Sequence, residues 1–342
     1  MVLIEYDQLV FYAALLLFVA LIVRLVYGIY CKRNFEECSV YLLIDKSVVK
    51  EMMGFAGWNY IGASSGILRD QGVNILINLF CGPVVNAARG IAFQVNAAVG
   101  SFVTNFMTAL NPQITKSYAS GNMRYLFMLV CQGARFSFYL LFFLSLPILL
   151  ETHTVLSIWL GEVPDHTVLF VQLILISTLS ESLSGTLITA MLATGKIRNY
   201  QLIVGGLLML NFPISYMLLY FGGRPEYTLL VSISLTLCCL LARLLMLRSM
   251  IGLSIRRFLK TVVMNVSMVS IVACIIPLGL RLFMEEGGTR FLIICILCGI
   301  TTIFSIYFLG CSKEERFFLS EKISSFKNKI MIKISRKSWM NI

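Results

Sequence analysis

Along the chain, mostly apolar runs of about 20 residues or more alternate with short polar segments, the pattern of helices that each cross a bilayer core. Runs of that length fall at roughly 9–29, 54–80, 84–110, 125–150, 167–194, 200–221, 227–249, 260–283 and 290–311. Several exceed what a bilayer requires, which predicts tilt or extension into water. The fold class expected is all-α: a polytopic integral membrane helix bundle of about nine transmembrane helices.

The runs are not alike. Those at 9–29, 125–150, 200–221, 227–249 and 290–311 are nearly all Leu, Ile, Val, Phe and Met, as lipid-facing or packing helices should be. The second carries Asn59, Arg69, Asp70, Gln71, Asn74 and Asn78. An ionised side chain at mid-membrane costs roughly 2.5–3.5 kcal/mol on the insertion scale. At about 100° per residue, Asn59, Gly62, Gly66, Asp70, Asn74 and Asn78 share one arc. That face must look at protein or water. Arg69 and Asp70 are neighbours but leave the helix about 100° apart, so adjacency does not imply pairing.

The third run places Asn86, Arg89, Gly90, Ala97, Gly100, Ser101, Thr104 and Thr108 on one face, with Gln94 and Asn96 at its edges. Its small residues have a packing explanation, close approach of neighbouring helices. Arg89 either snorkels to the outer surface or stands as a fixed positive charge in a cavity. The fifth run reads Ser177-Thr178-Leu179-Ser180-Glu181-Ser182-Leu183-Ser184-Gly185-Thr186. Its hydroxyls can bond back to their own helix. Glu181 has no Lys or Arg one turn away, so it must be protonated, bind a cation or find a partner on another helix. Two readings stand for Asp70 and Glu181: one cation or proton site inside the bundle, or structural ion pairs between helices.

Composition agrees with the pattern: 58% of the 342 residues are hydrophobic, 13% are charged, and the mean hydropathy is +0.85. A soluble chain carries about 25% charged residues, so a soluble enzyme, a disordered chain and a disulfide scaffold are excluded. The ten cysteines fall mostly in apolar runs, where a thiol behaves as a small hydrophobe. The net charge of +11 does not point to nucleic acid, because the Lys and Arg lie between apolar runs and in the tail. Lys32, Arg33, Lys46, Lys50, Lys116, Arg124, Lys196, Arg198, Arg256, Arg257 and Lys260 mark one set of connections. The alternate set is poor in Lys and Arg, and 151–166 has none. The bias predicts the amino end outside and the carboxyl tail, 312–342, inside at an anionic leaflet. The first run, led by Glu5 and Asp7, reads as a retained helix rather than a secretory signal.

Soluble chemistry leaves little trace. Cys295-x-x-Cys298 has metal-ligand spacing but lies in an apolar run without a second pair, so packing explains it better than zinc. His153 and His166 bracket an outer loop and have no partner spacing. No Walker loop, no Ser/His/Asp arrangement and no aspartate pair of metal-dependent glycosyl transfer is visible, so neither an enzyme nor a cofactor is expected.

The stretch Met53-Gly54-Phe55-Ala56-Gly57-Trp58-Asn59 carries a resemblance that is stronger in Gly82-Pro83-Val84-Val85-Asn86-Ala87-Ala88-Arg89-Gly90-Ile91-Ala92 and runs on to Asn111-Pro112-Gln113-Ile114-Thr115-Lys116-Ser117-Tyr118. It resembles the polysaccharide-flippase (Wzx-like) branch of the MATE/MOP transporter superfamily over about residues 30–200 and is compositional beyond. Such proteins are often described as lipopolysaccharide or O-antigen biosynthesis transporters. The resemblance implies two six-helix lobes that rock about a central cavity, of which this chain would hold a MATE/MOP-like carboxyl lobe. On that reading 1–53 is the last helix of an amino lobe and a cytoplasmic linker, 54–250 the six-helix carboxyl lobe, 251–311 two additional helices and 312–342 a basic cytoplasmic tail. About five amino-lobe helices would be missing, to be supplied by another chain if the protein transports at all.

The implied function is flipping of lipid-linked oligosaccharide across the bacterial inner membrane by alternating access, with Na+ or H+ as candidate coupling ions. Arg89 resembles the cavity cations that face a pyrophosphate, with Asn86, Asn74 and Asn78 as its substrate-binding neighbours, and Asp70 and Glu181 resemble the carboxyl-lobe cation site. The implied partners are the lipid-linked substrate and membrane lipids. A cation-coupled drug exporter of the same fold, a saccharide polymerase or ligase, and a non-transporting fragment are the competing expectations.

Overall fold

The computed structural model describes residues 8–35, 38, 45–317 and 321, and these are helical almost throughout, with no strand among them. Most of the expected basic tail, 318–320 and 322–342, lies outside the described residues, as do Glu5 and Asp7. The chain divides into two compact units, Met1–Met53 and Gly54–Ile342. The first contains α1 (Gln8–Asn34), apolar on every side, with Leu17, Leu21, Leu25 and Tyr27 all exposed. In a bilayer such a helix needs no polar face, because lipid is its solvent.

The second unit holds α2 (Lys46–Cys81) from Gly54 onward and the other long helices that follow it. In chain order α2 and α3 (Pro83–Ala119) are followed by α4 (Met123–Leu150) and the short α5 (Thr152–Leu160). Then come α6 (Thr167–Ala193), α7 (Arg198–Tyr220), α8 (Tyr227–Ile251), α9 (Ile255–Phe283) and α10 (Gly288–Gly310). Local chemistry sets the ends. Gly82, at φ 87°, is the one residue between α2 and α3, and Pro83 opens α3 where its missing N–H costs nothing. The Asn122 side chain accepts from the Tyr125 amide at 3.1 Å and caps α4. After α10, the Ser312 amide donates to Glu315 Oε2 at 2.7 Å, and the Glu315 amide donates back to Ser312 Oγ at 3.2 Å, a capping box.

Among the described residues, seven helices are long and apolar enough to cross a membrane: α1, α4, α6, α7, α8, α9 and α10. At 36 and 37 residues, α2 and α3 are long enough but too polar to join them. The polar faces read from the sequence are the reason. The run expected at 167–194 is also not one uninterrupted helix. Regular α-helix stops at Ser182 and resumes at Gly185, with the Ser184 amide bonded to Glu181 O at 2.9 Å in a tight turn. The break begins two residues beyond Glu181.

The core is built around α4. Leu126, Ala134, Leu141 and Leu146 are almost wholly enclosed, and α4 packs against α3, α6, α9 and α10. A second cluster, Ala88, Ala92, Leu156, Phe170, Val171, Ile174, Leu175 and Leu229, joins the start of α3 to α5, α6 and α8. A third holds Val73, Leu76 and Ile77 of α2 against Leu219 of α7. These clusters fix the spacing of α2, α3, α6 and α8, the helices that carry the polar residues.

Candidate functional site

Arg69 is the hub. Its Nε donates to Asp70 Oδ1 at 2.9 Å and its Nη2 to Asp70 Oδ2 at 3.3 Å, while Nη1 lies 3.5 Å from Glu181 Oε1 on α6. The expectation that Arg69 and Asp70 diverge is thereby corrected. The long arginine stem reaches back across the 100° between neighbouring helix positions, and the planar fork matches a carboxylate. Asp70 and Glu181 thus meet at one cation, and that cation is a guanidinium. Among the described residues no group of three or more His, Cys, Asp or Glu side chains gathers to hold a metal ion.

Arg89 stands one layer away and is held differently. It is 5% exposed, its Nη1 donates to Asn74 Oδ1 at 3.1 Å, and its Nη2 donates to the backbone carbonyl of Asp70 at 3.3 Å. The guanidinium also lies 4.5 Å from the centre of the Phe93 ring. Its Nε is enclosed without a hydrogen-bond partner, and no carboxylate pairs with it among the described residues. Of the two alternatives for Arg89, the structure draws the buried charge: the side chain stays inside rather than reaching an aqueous surface.

Both arginines line a cavity of about 150 Å³ with Asp70, Asn96, Thr178 and Glu181, polar enough and large enough to hold water. A groove of about 790 Å³ runs on from it between α3 and α6. Asn96, Thr178 and Glu181 line both, so the polar strip is continuous. The groove takes Ala97, Gly100, Ser101, Thr104 and Thr108 from the α3 face read in the sequence. Its hydroxyls are mostly bonded within their own helices: Thr104 Oγ1 to Gly100 O at 3.2 Å, Thr108 Oγ1 to Thr104 O at 2.8 Å and Thr178 Oγ1 to Ile174 O at 3.0 Å.

The other sequence-derived positions separate. Asn74 joins Arg89, whereas Asn78 is exposed one turn further along α2 and Asn86 is half-buried with its Oδ1 enclosed and unpartnered. Neither Asn78 nor Asn86 lines the small cavity. Ser184 is fully buried and points away from the groove.

Several ionic and polar contacts were not legible from single runs. Arg290 of α10 meets Glu151 at the end of α4 at 3.0 Å, both almost wholly buried. Arg135 of α4 meets Glu315 at 2.6 Å. Tyr139 bonds Asn265 across α4 and α9. Gln201 donates to Asn59 at 3.3 Å across α7 and α2. Arg243 of α8 is 4% exposed and makes no hydrogen bond or ion pair among the described residues. His166, which has no partner spacing in the sequence, has its Nδ1 2.5 Å from Glu226 Oε1. Each partner lies far away in sequence, so no spacing rule could join them. A lone Arg inside an apolar run was the available signal.

Helices of this length and apolarity define a multi-pass helical membrane protein with a charged, polar interior. No protein family, curated protein or solved structure matches the chain.

Proposed function

We propose that the chain forms the carboxyl lobe of a MATE/MOP-like transporter of the Wzx type, one that flips lipid-linked oligosaccharide across the bacterial inner membrane by alternating access. In this reading α2 and α3 also cross the bilayer, making nine spans. The polar face of α2 is turned from lipid toward the small cavity and that of α3 toward the groove, and the carboxyl tail is cytoplasmic. The observation that carries the reading is Arg89: a buried guanidinium without a carboxylate partner among the described residues, beside a small polar cavity. A fixed guanidinium can pair bidentately with a phosphoryl group. The small cavity suits the phosphate of the carrier and the larger groove its sugars, with amide and hydroxyl groups that bond saccharides without charge.

The Arg69, Asp70 and Glu181 cluster supports a switching role beside it. Guanidinium and carboxylates hold α2 to α6 in one state, and a proton or Na+ that takes a carboxylate away from Arg69 loosens that contact. Gln94, Ser101, Thr104, Asn105 and Thr108 are exposed along α3. Such a stripe does not face hydrocarbon, so a second polar wall, across water or from further helices, stands opposite it.

The test is complementation of a flippase-deficient bacterium with the complete reading frame that encodes this chain, scored by accumulated lipid-linked intermediate. Rescue by the native protein, lost in Arg89→Gln at equal membrane abundance, is the expected result. Equal rescue by Arg89→Gln removes Arg89 from the site, and drug resistance without rescue favours the exporter of the same fold.

A further inference from the structure

A second cavity, of about 560 Å³, lies where α4 and α9 begin and α10 ends, away from the α2, α3 and α6 site. Its floor is preassembled. Arg135 Nη2 donates to Glu315 Oε1 at 2.6 Å, Arg135 Nη1 to Gly310 O at 3.0 Å, and Gln132 Nε2 to Glu315 Oε1 at 2.9 Å. Glu315 is therefore already neutralised. Its mouth carries Arg124 and Arg257, both exposed, whose guanidinium groups make no hydrogen bond or ion pair among the described residues. Among the described residues, Glu314 is the one carboxylate lining the cavity that is left to oppose them. Tyr125 and Met128, each 41% exposed, add apolar surface to the same lining.

Spans α4, α9 and α10 end at this level, so the cavity sits at the membrane interface. The same end of the bundle bears Lys116, Arg124, Arg256, Arg257 and Lys260, whereas 151–166 at the other end has no Lys or Arg. That asymmetry marks the side that meets an anionic leaflet. A soluble anion would use the two free guanidinium groups and leave the apolar rim wet. A lipid uses both, with its phosphodiester between the arginines and its glycerol and first methylenes on Tyr125 and Met128.

We propose that this cavity is a binding site for the phosphodiester headgroup of an anionic phospholipid of the phosphatidylglycerol class. The bound lipid bridges the start of α4 to the start of α9 and steadies the α9–α10 pair against the core.

The test uses the full chain in nanodiscs of phosphatidylcholine alone or with one quarter phosphatidylglycerol, reading retained lipid by native mass spectrometry and thermal unfolding. The native protein should keep one phosphatidylglycerol and unfold roughly 3 °C or more higher in its presence. Arg124→Gln/Arg257→Gln alters only exposed side chains that make no hydrogen bond or ion pair among the described residues, so it keeps the fold. It should retain about thirtyfold less of the lipid. Arg256→Gln/Lys260→Gln, at the same end but outside the cavity, should match the native protein. Equal loss in both double variants would mean a diffuse surface field, and equal retention would mean no site. Full stabilisation by soluble glycerol 3-phosphate would mean a free-phosphate site. Each of these three results overturns the proposal.

Discussion

The guanidinium of Arg69 stands 3.5 Å from Glu181 on α6 while its Nε holds Asp70 at 2.9 Å, so one cation on α2 serves two carboxylates on two helices. Arg69 is 16% exposed, whereas both carboxylates are nearly half exposed, 44% and 45%. The cation is thus built in and the anions face the cavity. Removing the cation leaves like charges facing each other, and removing one anion leaves the other pairing intact.

That asymmetry predicts the outcome of a double-mutant cycle. Arg69→Gln should lower the thermal unfolding midpoint more than Glu181→Gln does. The coupling between the two positions should be about 1 kcal/mol, held down by the exposure of the carboxylates. A coupling indistinguishable from zero would mean that the 3.5 Å contact carries no energy.

Arg290 and Glu151 should behave as a buried pair. Their side chains are 6% and 1% exposed, and Thr154 Oγ1 adds a bond to Glu151 Oε2 at 2.9 Å. Breaking such a pair from one side leaves an uncompensated buried charge, about 3 kcal/mol. Arg290→Met should therefore destabilise the protein strongly, and Arg290→Met with Glu151→Leu should recover most of the loss. A double variant as unstable as Arg290→Met alone would contradict this account.

Gly133 on α4 lets α3 and α6 approach. A Cβ there would lie 2.3 Å from Leu110 Cδ2 and 2.7 Å from Thr186 Cγ2, and Thr186 is itself anchored by Oγ1 to Val130 O at 2.9 Å. Gly133→Ala should cost about 1–3 kcal/mol, the range for overpacking a filled core. Gly100→Ala, where nothing stands within 4 Å of the added carbon, should be neutral by the same unfolding assay.

Cysteine labelling maps the groove. Thr104→Cys and Asn105→Cys should react with water-soluble maleimide, because both line the groove and are exposed. Ser184→Cys should stay unreactive in the folded protein, because Ser184 is fully buried. Labelling at Ser184 as fast as at Thr104 would place the wall of α6 elsewhere.

Much of this was legible in the chain itself. Apolar runs of bilayer length specify helices because an unpaired backbone in hydrocarbon is too costly for any other single segment. Helical periodicity alone grouped Ala97, Gly100, Ser101, Thr104 and Thr108 on the α3 face that lines the groove, with Asn96 at its edge. It could not decide partners. Arg69 turned back to its neighbour and across to α6, Arg89 took Asn74 rather than a carboxylate, and Asn78 and Asn86 fell outside the small cavity. Arg290 found Glu151 across 139 positions. A periodic pattern encodes the direction in which a side chain leaves its own helix, whereas pairing depends on how helices cross and how far a flexible stem reaches. Those distances are set only when the core around α4 closes.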